Sequence, residues 1–291
     1  MNMVFAPCGS SDYDPAMPGD PSSNARNSRR RLAESKLLVA DEIQAAHEAP
    51  PSGHNVRRQL AIPIAGVFEY RVGHKTSWLD PMRLLFVEAG EDFQDRHPVA
   101  GVGHSSVIIA PSEELLDEVA SLARPAFADR IRSCPLRVHM LVQQLRRTCD
   151  PIERDEIGSE ILLASMGDSD PVAIWDSRCV RRAKAMLHEA DGERLPLADI
   201  AAKIGVTPIH LTQAFKRSEG VPLYRFQMRL RLSRALAELP ERDDITCLAL
   251  DLGFSSHSHF TATFRSALGV TPSEYRNGKL ARSEAAARLA A

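Results

Sequence analysis

Two stretches near the C-terminal end carry glycine, small, apolar and polar residues in one repeated order. The first is IAAKIGVTPIHLTQAFKRSEGVP (200–222) and the second is LALDLGFSSHSHFTATFRSALGVTP (248–272). Ala201, Gly205, Phe215 and Gly220 correspond to Ala249, Gly253, Phe264 and Gly269, a period of 48–49 residues. One supersecondary unit repeated at a fixed period is architecture rather than accident. The chemistry lies in what each unit leaves outside. Leu211 and Phe215, four apart, bury a helix and leave Ile209, His210, Thr212 and Gln213 more open. Phe260 and Phe264 do the same and leave His257, Ser258, Thr261 and Ala262 nearer the outside. Amide, hydroxyl and imidazole groups on one helix face can read base edges in a DNA major groove. Lys216, Arg217 and Arg265, on later turns, suit phosphate.

The elements that must position these groups are legible too. Ile200, Ala201 and Ile204 form an apolar stripe on a short helix, which Gly205 ends where a left-handed backbone is cheapest. Thr207 followed by Pro208 is an N-cap and first-turn pair that starts the next helix. In the second unit Leu248, Ala249 and Leu252 are the stripe, Gly253 the break, and Ser255 or Ser256 the cap. A short helix, a tight turn and a capped second helix is the geometry of a helix–turn–helix. Val180, Ala183 and Leu187 mark a helix before the first unit. Tyr224, Met228, Leu232, Ala235 and Leu239 mark a long one between the units, able to hold two reading helices about 34 Å apart. Thr271-Pro272-Ser273-Glu274 matches a capping box.

The whole chain of 291 residues has a net charge of −2, so it is no basic coat for nucleic acid. Divided, it is asymmetric: residues 1–171 hold 18 Lys/Arg against 25 Asp/Glu, and the rest hold 18 against 13. An acidic front and a basic back fit one domain that meets phosphate. No apolar run is long enough for a membrane helix, no signal peptide is visible, and five scattered cysteines fit a reducing cytoplasm. Residues 1–35 read as a disordered extension, its Arg29–Arg31 run a solvated tail, and 31–48 has helix formers with a weak face. From Gln59 the period becomes two: Leu60, Ile62 and Ile64, then Phe68, Tyr70 and Val72 in phase past Gly66. With Leu84–Val87 and Val107–Ala110 these predict a small β-barrel or sandwich. Ser112, Pro135 and Pro151 open three helices, and GDSDP (167–171) reads as a linker. The apolar segment PLRVHMLVQQL suggests a homodimer surface.

Residues 175–278 resemble the C-terminal domain of the AraC/XylS transcriptional regulators, most specifically in GFSSHSHFTATFRSALGVTPSEYR (253–276). The front third more loosely resembles their cupin-like sensor domain, in the Asp80-Pro81 turn, LLFVEAGEDF and HPVAGVGHSSVI. The expected fold is therefore α+β in two domains. A cupin-like barrel spans 36–110, a helical connector 111–171, an all-α domain with two helix–turn–helix units 172–278, and a tail 279–291. The resemblance implies a cytoplasmic, promoter-binding activator that touches RNA polymerase and answers to a small molecule. Ile209, Thr212, Gln213, His257, Ser258 and Thr261 are the expected base contacts; Thr207, Lys216, Arg217, Ser256 and Arg265 the phosphate contacts. Members of this family often have an Arg in each reading helix where this chain has Gln213 and Ala262. Gln213 suits adenine, whereas Ala262 offers only apolar contact, for instance to a thymine methyl. The second unit would then read more through DNA shape.

The competing class is a cupin-type metalloenzyme with an appended helical domain. His47, His54, Glu69, His74, His97 and His104 would have to supply its metal, but none of them form an HxH pair. His257 and His259 do, yet on a helix their rings face apart. No metal or other cofactor and no enzyme activity are expected. Phe68, Tyr70, Trp78 and Phe86 are the candidate lining of an effector pocket.

Overall fold

The computed structural model describes residues 27–46, 50–122, 130–167, 177–190 and 193–278. The expected tails, up to residue 26 and from 279, and the 168–171 part of the linker lie outside them. Among the described residues ten strands precede and interleave with the first helices: β1 (Ser28–Glu34), β2 (Leu38–Ala45), β3 (Ser52–Asn55), β4 (Gln59–Gly66) and β5 (Phe68–Val72). They continue as β6 (Lys75–Leu79), β7 (Arg83–Val87), β8 (Glu91–Arg96), β9 (His104–Pro111) and β10 (Ile131–Ser133). They form two sheets, in the orders β1-β2-β9-β4-β7-β10 and β3-β8-β5-β6, rather than one closed barrel.

The alternation of β7 shows how the layers stack. Leu85 and Val87 join Phe68, Tyr70 and Leu79 of the smaller sheet in one core, while Leu84 and Phe86 point the other way. There they meet α1 (Glu113–Leu122), α2 (Leu136–Arg147) and α3 (Pro151–Gly167), through Leu116, Val138, Leu141 and Ile161 among others. The middle of the larger sheet is thus covered on both faces, which is why β7, RLLFV, is buried along its whole length. Leu60 and Ile62 do alternate with Ala61, but the run past Gly66 conceals a change of sheet. Gly66 has a φ of 77°, and a Cβ there would lie 2.1 Å from the Gly103 carbonyl oxygen, so only glycine makes the corner.

Three expectations are corrected here. Residues 28–34 are not an unstructured extension, and the helix formers of 31–45 lie in strands: β1 pairs with β2 along its length. Arg29 and Arg31 reach the buried Asp41, and Arg30 reaches the buried Glu42, so the arginine run is ordered by carboxylates on the next strand. The α2 segment is not an open dimer surface. Its Val138, Leu141, Val142 and Leu145 pack on the sheet, and Met140 packs into the C-terminal domain. The β region also extends past 36–110 on both sides, through β1 and β10.

The C-terminal domain contains α4 (Arg178–Glu189), α5 (Leu197–Ile204), α6 (Pro208–Glu219) and the long α7 (Leu223–Glu238). After a short 3-10 turn come α8 (Ile245–Asp251), α9 (His257–Leu268) and α10 (Pro272–Arg276). Two separate cores divide it. Val180, Ala183, Ile200, Ala201, Leu211, Phe215 and Phe226 build the first; Leu232, Leu248, Ala249, Phe260, Phe264 and Tyr275 belong to the second.

Candidate nucleic-acid interface

Each half of the sequence repeat is a pair of helices joined by a glycine turn. Gly205 ends α5 with φ 82°, and the Thr207 hydroxyl accepts from the His210 amide at the start of α6. Gly253 (φ 74°) lies between α8 and α9, and of the two serines it is Ser256 that caps, accepting from the His259 amide. Gly220 and Gly269 end α6 and α9 in the same left-handed conformation. The Thr271–Glu274 capping box is formed in full. Phe215, Phe260 and Phe264 are fully buried and fix which face each helix keeps outside.

On α6 that outer face carries Ile209, His210, Gln213, Lys216 and Arg217, with Thr212 half-buried at its side. Ile209 is 71% exposed, an unusual position for a large aliphatic residue with no core to join. The Thr212 hydroxyl donates to the Pro208 carbonyl at 2.9 Å and keeps its acceptor capacity. On α9 the exposed residues include His257, Ser258, Ala262 and Arg265, and Ser256 and Thr207 are exposed at the caps. Thr261 departs from expectation: its hydroxyl is buried and has no hydrogen-bond partner, so it is turned away from the outward face.

The other predicted site residues are scattered. Phe68 and Tyr70 share the core between the sheets, Trp78 packs with Val67 and Val99, and Phe86 faces the helices across its strand. The four therefore do not line one cavity. Of the candidate metal ligands, His54 meets Asp92 at 2.8 Å, and His97 meets His104 at 2.8 Å. Glu69 accepts from the Trp78 indole at 2.6 Å, His74 is exposed, and His47 lies outside the described residues. Among the described residues no group of three or more His, Cys, Asp and Glu side chains is placed to hold a metal ion. No helix of the described residues is long and apolar enough to cross a membrane.

Sequence reasoning missed the groups that fasten this face to the rest of the chain. Arg182 of α4 donates to the carbonyls of Lys203 and Ile204, closing the end of α5. Arg231 of α7 donates to the Gly253 carbonyl in the second turn. Lys184 of α4 is fully buried, with Asp80 at 2.9 Å and Glu219 at 2.7 Å. Two signals were available. Lys184 occupies a core position on the Val180–Ala183–Leu187 stripe, and Glu219 puts an anion at a helix C-terminus, where the helix dipole disfavours it.

Comparison with known proteins agrees with this geometry. The family described as "Helix-turn-helix domain" matches residues 200–278. The transcriptional activator AarP of Providencia stuartii is 37% identical over 84 residues, 28% of this chain and 62% of its own length. An uncharacterised helix-turn-helix transcriptional regulator of Staphylococcus aureus is 34% identical over 93 residues, 32% of this chain and 12% of its own. The chain thus spans less than two thirds of either relative. A solved AraC-type transcriptional regulator from Chromobacterium violaceum is 30% identical, covering 36% of this chain and 95% of that one, with a TM-score of 0.33. Residues 200–278 of the chain thus carry a helix-turn-helix domain.

Proposed function

We propose that the protein is a sequence-specific DNA-binding transcriptional regulator that lays α6 and α9 in successive major grooves at a promoter. One observation carries this: two capped helices, each anchored by buried phenylalanine, leave a polar and basic face uncovered. Ile209, Thr212, Gln213, His257 and Ser258 contact bases in this reading. Thr207, Lys216, Arg217, Ser256 and Arg265 contact phosphate. Thr261, with its hydroxyl turned inward, does not take part. Activation belongs to the same proposal, supported by the likeness to the transcriptional activator AarP, and contact with RNA polymerase is the route proposed for it. Control by a small molecule would need a site other than the four dispersed aromatics.

The reading is tested by selecting bound sites from random duplex DNA with the full-length protein. Enrichment of one motif with two half-elements about a helical turn apart is the expected result. Failure to enrich any motif at moderate salt would sink the proposal.

A further inference from the structure

The two helix pairs are joined by α7, but each is also gripped at a different place, the first by the N-terminal sandwich and the second by a helix packed on it. The first is held at the end of α6. Arg83 of β7, with no exposed surface, places Nη2 2.6 Å from Glu219 Oε1 and Nη1 2.9 Å from the Trp78 carbonyl. Lys184 meets the same Glu219 oxygen at 2.7 Å and Asp80 of the β6–β7 turn at 2.9 Å. Two cations and two anions are sealed together, and Met82 of the same turn enters the core of the first pair. A carboxylate on the last residue of a helix is disfavoured by the helix dipole, so Glu219 is held by these cations and not by α6 itself. The planar guanidinium fork of Arg83 adds direction to the attraction.

The second pair is held by α2. Met140 joins its core, Leu136 packs against it, and Arg147 donates to the Tyr275 hydroxyl at 3.2 Å. Because α2 lies on the larger sheet and packs on both α7 and α9, the contacts close a ring: sandwich, α6, α7, the second core with α9, α2 and back to the sandwich. A single connecting helix leaves the pairs free to twist and bend about it. A closed ring removes that freedom.

We infer that the sandwich fixes the relative pose of α6 and α9 through the Arg83–Glu219 bridge, and so sets which half-element spacing the chain accepts. Arg83, Lys184 and Glu219 are then positioning residues for DNA recognition. The inference rests on the DNA-binding reading above.

The test uses full-length protein and a spacing series built on the best selected site, lengthened and shortened one base pair at a time. The wild type should prefer one spacing by about tenfold or more over neighbours two base pairs away. Arg83→Met should compress that preference to about threefold or less, with faster amide exchange at the end of α6 and unchanged exchange in α9. The double variant Arg83→Met/Glu219→Gln keeps the buried cluster neutral and serves if the single variant does not fold. Full spacing preference in a folded variant, or equal loss at every spacing, overturns the inference while the regulator reading stands. Absence of any selected site for the wild type overturns both.

Discussion

Gln213 stands exposed midway along α6, with an amide that can donate and accept at once, the pattern adenine presents in the major groove. Gln213→Ala should relax preference at one base position and cost about 1–3 kcal/mol there. An unchanged selected motif would remove its assigned role. Lys216, one turn of helix later and exposed, is a phosphate contact in the proposed arrangement. Lys216→Ala should weaken all sequences alike and flatten the slope of log affinity against log salt by about one. A loss confined to one sequence would show that it reads bases. Thr261 makes the opposite case. Its buried hydroxyl lacks a partner, and Thr261→Val removes that polar group without changing the shape of the side chain. Thermal stability should hold or rise by up to about 1 kcal/mol, with the selected motif unaltered. Helical periodicity places Thr261 beside Ser258, near the outside, and the sequence could not show that its hydroxyl is buried.

At the scale of elements, the helix pairs were legible because their signals are local. A cap, a glycine break and an apolar stripe lie within one unit, and the repeat states them twice. Gly205 illustrates how sharply such a signal can be tested. Its φ is 82° and a Cβ there would meet nothing within 4 Å, so Gly205→Ala changes backbone energy and no packing. A loss of about 1–2 kcal/mol is expected, read by thermal or urea unfolding. A neutral result would mean that the turn relaxes out of the left-handed region. The strands were less legible where their partners are distant in sequence. β1 is stabilised by Asp41 and Glu42 across the ladder, and nothing in SRRRLAE by itself announces a strand. The apolar α2 was visible, but its destination was not: an apolar face looks the same whether it meets a second chain or its own sheet.

The whole molecule is joined along a seam whose titratable groups were not legible at all, because burial from two domains together creates their properties. His188 of α4 has a buried Nε2, although the residue as a whole is only part-buried, and it lies near Asp80 and Lys184. Burial brings its imidazole down from 6.5 to about 4, despite the opposing pull of Asp80. His139 of α2, bonded to the Pro81 carbonyl and near Arg229 and Asp80, is likewise brought to about 4 by burial. The unfolded chain takes up these protons near pH 6.5 and the folded chain only near 4. The stability they allow is therefore complete above 6.5 and is lost as pH falls toward 4. Asp95 acts in the reverse direction, since burial raises its carboxyl to about 8 and favours the folded state as pH falls. The wild-type profile mixes the two, so the informative quantity is a difference between chains. Asp80 falls outside this window: burial pushes its carboxyl up, but Lys184, His188 and Arg83 outweigh that and hold it at about 2. His188→Leu should unfold at a temperature that gains on the wild type steadily from pH 6.5 down to 4.5, with little change in the difference above 7. Parallel profiles across that range would show that His188 takes up its proton at the same pH folded and unfolded, and that the seam between sandwich and helix pairs is open enough to admit water.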